Sequence, residues 1–155
     1  MKRIAVIILI SITLIVPVLA HQPGRKNPAF KPKVRFAPVH IYLDSGSKSL
    51  AAYQFELKAG VGQIKIVGVE GGRHAAFKEA PYYDPAALSN NRIIIAAFNT
   101  TSELPKGRTR IATIHLQIVG EAEPYYELKL DVAADADGEE IQAKINLEKE
   151  IENEN

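Results

Sequence analysis

The 155-residue chain has no cysteine and no tryptophan, a single methionine and only four histidines. Without cysteine there is no thiol nucleophile, no disulfide scaffold, no iron–sulfur cluster and no thiolate-held zinc. A chain so built must be held by its apolar core. An excess of one charge sign is also missing, because 19 Lys and Arg stand against 18 Asp and Glu. Nucleic-acid binding therefore lacks its electrostatic footprint, and no nucleic-acid partner is expected. What is present, 46% hydrophobic and 24% charged residues, is the composition of one globular domain.

The first twenty residues read as a signal peptide. Lys2 and Arg3 supply a positive start, Ile4 to Val16 is an almost unbroken apolar run, and Val18-Leu19-Ala20 has small-residue cleavage character. The other reading is an uncleaved anchor, for which a run broken at Pro17 is short. No cysteine follows for lipid attachment, and no second apolar stretch offers a membrane span. The expected location is secreted or periplasmic, with cleavage near Ala20 and about 135 residues left for one domain. Removing Lys2 and Arg3 from the basic count leaves 17 basic against 18 acidic residues.

Residues 21–33 (HQPGRKNPAFKPK) hold Arg25, Lys26, Lys31 and Lys33 with three prolines and no acid, an extended basic linker. Residues 149–155 form an acidic tail, the last ten residues carrying Glu148, Glu150, Glu152 and Glu154 against Lys149. Between them, residues 34–148 have a dominant period of two. Val39, Ile41 and Leu43 alternate with His40 and Tyr42, and Tyr53, Phe55 and Leu57 with Gln54 and Glu56. The pattern returns in Ala112 to Ile118, in Tyr126, Leu128, Leu130 and Val132, and in Ile141, Ala143, Ile145 and Leu147. Ile64 to Val69 and Arg92 to Phe98 are more continuously apolar, which predicts central strands covered on both faces. Ser45-Gly46-Ser47-Lys48 and Leu104-Pro105-Lys106-Gly107 read as turns, and Asp137-Gly138 as a tight hairpin. The sum is an all-β fold, a single sandwich or jelly roll of about eight or nine antiparallel strands.

Catalytic constellations are sparse. There is no Gly-x-Ser-x-Gly elbow, and His40, His74 and His115 lie on different predicted elements with no Ser-and-Asp arrangement at a defining spacing. Glu70, Glu79 and Asp84 are the carboxylates that a sugar-hydrolysing pair could draw on, against their ordinary role in loops and turns. Asp135-Ala136-Asp137-Gly138-Glu139-Glu140 fails as an EF-hand loop: with Gly138 at position six, Ala133 falls first and Lys144 twelfth. A looser cation site at Asp135, Asp137 and Glu139 competes with a plain turn. No catalytic residue, metal or cofactor is assigned. Asn99-Thr100-Thr101 matches the glycosylation acceptor pattern.

The longest connection, Gly71 to Asn91, holds Phe77, Tyr82 and Tyr83 close in sequence to Arg73 and Asp84. These five are the candidate partner-binding residues, since rigid aromatic rings beside polar groups anchor proteins or stack on sugars. In the competing reading, Phe77 and one tyrosine plug an end of the sandwich while Pro81 and Pro85 fix the loop's path.

Ala51-Ala52-Tyr53-Gln54-Phe55-Glu56-Leu57, Ile66-Val67-Gly68-Val69-Glu70-Gly71-Gly72, Arg92-Ile93-Ile94-Ile95-Ala96-Ala97-Phe98 and Gly107 to Ile118 (GRTRIATIHLQI), in that order, resemble the cohesin domain. The resemblance spans roughly Val34 to Leu147. Tyr83-Asp84-Pro85-Ala86-Ala87-Leu88 also resembles the cohesin Y-D-P-x-x-L turn, although here it follows the Val69 to Gly72 segment rather than the aromatic strand. The resemblance implies a nine-stranded jelly roll related to cellulose-binding modules that binds a dockerin through one sheet face. The expected function is a secreted, non-catalytic module recognising a dockerin-like or other extracellular protein. Polysaccharide binding is the alternative, weakened by the lack of tryptophan.

Overall fold

The two-residue alternation resolves into eight strands: β1 (Val34–Asp44), β2 (Ala52–Gly60), β3 (Gln63–Gly71), β4 (Tyr82–Tyr83), β5 (Arg92–Phe98), β6 (Arg108–Val119), β7 (Tyr125–Ala134) and β8 (Lys144–Lys149). The computed structural model describes residues 31–60 and 62–150; the signal segment, the linker through Phe30 and the tail from Ile151 lie outside them. The strands form two four-stranded antiparallel sheets, a first in the order β3-β6-β1-β8 and a second in the order β4-β5-β2-β7. The fold is an all-β sandwich.

Only the β4–β5 connection stays within one sheet; every other step along the chain crosses to the opposite sheet. Paired strands are therefore distant in sequence, as Val34 opposite Val119 illustrates. Neither sheet can close from hairpins alone, so both are built against the shared core. That core takes Val39, Ile41 and Leu43 from β1 and Ala112, Ile114, Leu116 and Ile118 from β6, facing Tyr53, Phe55 and Leu57 of β2 and Ile93 and Ile95 of β5. Each large aliphatic or aromatic side chain removed from water in this way contributes about 1.5–3 kcal/mol. The Tyr53 hydroxyl, deep in the core, donates to the Ile111 carbonyl at 3.0 Å, and burial pushes its ionisation well above the ordinary phenol range.

Four expectations are corrected. β3, read as a covered central strand, is an edge strand, and the extra residue Val67 shifts its register against β6. β5 is internal to its sheet but covered on one face only: Ile93 and Ile95 are buried while Ile94 and Phe98 face outward. Val132, expected inward, points out because Asp131 is an extra residue in β7 that switches the alternation and buries Ala133 instead. Asp137-Gly138 makes a turn with Gly138 at φ 82°, but no hairpin, since β7 and β8 belong to different sheets. The turn closes locally through an Ala134–Glu140 bridge, and the Asp135 carboxylate accepts the amides of Asp137 (3.1 Å) and Glu139 (3.0 Å).

Candidate functional site

The Gly71–Asn91 connection does not form one cluster. At its start, the chain runs so close to its neighbours that a Cβ on Gly71 would overlap the Lys78 carbonyl, and one on Gly72 the Arg110 carbonyl. His74 then caps a short 3-10 turn, Ala75–Phe77, its Nδ1 accepting the Ala76 amide at 3.2 Å. The turn drives Phe77 inward to an edge-on contact with Tyr53, ring centroids 5.1 Å apart. Phe77 is thus a core plug, buried and out of reach of a partner, and it leaves the candidate site. Asn99 pins the same turn by donating from Nδ2 to the Ala76 carbonyl at 2.8 Å, so the amide of the glycosylation pattern already holds the fold.

β4 follows, only two residues long. Tyr83 packs against the core and Tyr82 faces solvent, opposite Ala96 of β5. Asp84 caps a second 3-10 turn, Pro85–Ala87, accepting the Ala86 amide at Oδ1 (2.9 Å), and Pro85 supplies the preset φ of the first position. Tyr82, Tyr83 and Asp84 therefore do come together, as one wall of an open groove of about 730 Å³ completed by Asn90, Arg92 and Ile94. Arg73 is not part of it; it lines a separate groove with Tyr42, His74, Arg108, Thr109 and Arg110.

Sequence reasoning missed Phe98. Its ring stacks on Tyr82 with centroids 6.0 Å apart and planes 11° from parallel. Tyr82 and Phe98 are 67% and 65% exposed, and Ile94 (41%) and Val132 (44%) share the outer face of the second sheet with them. Tyr82, Ala96, Gln54 and Val132 are consecutive in one cross-strand row. The signal for Phe98 was present, since a period of two places Ile94, Ala96 and Phe98 on one face, but an unbroken apolar run concealed it.

The apolar band is bordered by paired charges. Arg92 grips Glu56 with two bonds of 2.7 Å, Nε to Oε1 and Nη2 to Oε2. That hydrogen bond holds the Glu56 carboxyl below the ordinary carboxylate range. Lys58 pairs with Glu127 at 3.3 Å and Lys129 with Asp131 at 2.6 Å. The Arg92 and Lys129 charges are thus locally balanced beside an exposed aromatic stack.

The other chemical candidates separate. Glu70 lies on β3 with Oε1 3.1 Å from His115 Nε2, without the alignment of a hydrogen bond, while Asp84 lines the groove on the second sheet. His40 Nδ1 and Thr113 Oγ1 are 3.1 Å apart on the outer face of the first sheet.

Among the described residues no group of three or more metal-ligating side chains comes together, and no helix is long and apolar enough to cross a membrane. The arrangement defines a β-sandwich whose second sheet carries an exposed aromatic stack on its outer face. Compared with family models, with curated proteins and with solved structures, the chain finds no match.

Proposed function

We propose that this chain is a secreted, non-catalytic binding module that recognises a protein partner, dockerin-like or another extracellular protein, through the outer face of the β4-β5-β2-β7 sheet. The observation that carries this reading is the Tyr82–Phe98 stack, standing open to solvent beside Ile94 and Val132. Exposed aromatic anchors ringed by polar groups are how protein interfaces gain affinity, because desolvating rigid rings costs little conformational entropy. The β4 edge of this sheet is a poorer contact. β4 has two residues, and Pro81 and Pro85 flank it, so strand addition has almost no backbone to pair with. The cohesin resemblance points the same way, toward recognition through a sheet face.

One observation favours a polysaccharide instead. The groove beside the stack has Tyr82 and Tyr83 on its wall and Asp84, Asn90 and Arg92 as polar groups within reach of sugar hydroxyls.

The test is capture with immobilised protein from the source's own secreted and envelope fraction, with a polysaccharide panel alongside. A saturable protein partner retained by the parent chain and lost on Tyr82→Ala with Phe98→Ala supports the protein reading. Glycan retention lost on Tyr83→Ala and Asp84→Ala, with no protein captured, replaces it. Retention of neither rejects both.

A further inference from the structure

The first sheet carries a second polar site, independent of the face discussed above. β6 places Arg108 and Arg110 on its outer side, and Ile111 is an extra residue relative to β1, where Ile41 pairs with Ala112 and Tyr42 with Arg110. This bulge buries Ile111 and Ala112 in succession and keeps Arg110 outward beside Tyr42. The Arg73 amide donates to the Arg110 carbonyl at 3.1 Å, an approach that needs the missing side chain of Gly72. Three guanidinium-bearing residues, Arg73, Arg108 and Arg110, thus line one open groove of about 440 Å³ with Tyr42, His74 and Thr109.

The charges in this groove are not balanced. Arg108 lies over the Tyr42 ring, 3.7 Å from its centroid, and is paired with Glu148. Asp44, opposite Arg108 in the ladder, turns its carboxylate to the Gly46 amide at 2.9 Å. Arg73 and Arg110 have no carboxylate within ion-pair distance among the described residues. The Arg110 Nε is shut off from water and bonded to nothing among those residues. A guanidinium so stripped of hydration gains more from an anion at its remaining nitrogens than a fully solvated one. His74 adds a donor: with Nδ1 accepting the Ala76 amide, the proton of the neutral ring sits on Nε2. The Arg110 charge is felt at His40, whose ionisation is lowered first by partial burial and then by Arg110, with Glu150 acting in the opposite sense and Arg73 adding a smaller lowering.

We infer that the Arg73–Arg108–Arg110 groove binds a tetrahedral dianion: free sulfate, free phosphate or a phosphate monoester. Two unpaired guanidiniums match two negative charges. Donors approaching from β6 and from the loop after β3 suit an oxyanion with oxygens on all sides better than a planar carboxylate, which one arginine fork can satisfy.

The test is amide and arginine side-chain NMR of the full chain titrated with sodium sulfate, sodium phosphate, methyl phosphate, acetate and chloride at matched ionic strength. Sulfate and phosphate are expected to shift Arg73, Thr109 and Arg110 saturably, and Arg73→Gln, at an exposed position, to weaken binding about tenfold. Arg110→Gln is expected to abolish saturation, and Arg110→Lys to restore it in part. Methyl phosphate binding like phosphate admits a phosphate monoester to the site, and its rejection restricts the site to the free ion. Shifts that are linear and equal for chloride, acetate binding as tightly as sulfate, or binding unchanged in Arg73→Gln would each overturn the site. Tyr82→Ala with Phe98→Ala leaves this readout unchanged, so failure here and failure of the protein-binding face are distinguishable.

Discussion

The Tyr82 and Phe98 rings lie 6.0 Å apart and 11° from parallel on the outside of the second sheet, joined across two antiparallel strands although sixteen positions separate them in the chain. Neither ring is needed by the core. Replacing both with alanine is expected to change stability by less than about 1 kcal/mol, the usual range for surface positions. The same replacement is expected to weaken partner binding at least tenfold, the loss typical of an aromatic anchor. Chemical denaturation beside a binding isotherm checks both; a variant that unfolds in the absence of denaturant would assign the pair to the fold rather than to recognition.

Phe77 is the opposite case. Its edge-on contact with Tyr53 at the end of the core makes Phe77→Ala a cavity-forming change, expected to cost about 3–5 kcal/mol. Tyr53→Phe keeps the ring and removes only the bond to the Ile111 carbonyl, leaving a buried acceptor unmet at about 1–3 kcal/mol. Urea unfolding of both variants checks the order; a smaller loss for Phe77→Ala would mean the ring is dispensable to the core.

Gly72 is required by proximity rather than by its backbone angle. An added Cβ would overlap the Arg110 carbonyl and stand 2.9 Å from the Ile111 Cα, both backbone atoms that cannot swing aside. Gly72→Ala is expected to cost about 1–3 kcal/mol. Gly46→Ala meets no atom within 4 Å but forces a side chain into φ +60°, so it serves as the comparison for strain without overlap. Equal thermal shifts in the two variants would remove overlap as the cause at Gly72.

His40 sets a pH dependence. Partial burial, and then Arg110, lower its ionisation below the ordinary 6.5, although Glu150 acts in the opposite sense. Between the folded value and 6.5 the unfolded chain binds more protons at this site, so stability rises with pH across that window and this contribution levels off above it. Below the folded value the destabilisation is complete. His40→Gln is expected to narrow the stability difference between pH 5 and pH 8. An imidazole midpoint above 6.5 in the folded protein, read by NMR, would reverse the sign, and one at 6.5 would remove the dependence.

Much of the fold was legible because burial on one sheet face writes itself into every second residue. Val39, Ile41 and Leu43, and Ala112, Ile114, Leu116 and Ile118, are all buried as their alternation requires. Tyr125 and Tyr126 divide outward and inward as adjacent strand residues must. The candidate site was legible in part. Tyr82, Tyr83 and Asp84 share a groove, but Phe77 and Arg73 are carried elsewhere by a capped turn and a close backbone approach that span only a few residues each.

By itself the sequence determined the all-β class, the number of strands to within one, and the inward face of most of them, because side-chain alternation is a local property of extended backbone. It also determined the turns at Gly46, Gly107 and Gly138, where φ is positive and other residues are strained. Only the tertiary structure decided which strands are neighbours, since all but one connection changes sheet and pairing energy depends on partners far along the chain. It alone decided that Val132 faces outward, because the Asp131 bulge reverses the alternation where two strands meet. It alone brought Phe98 under Tyr82 and Arg73 beside Arg110, since both pairings arise from strand register and loop packing, which no single segment encodes.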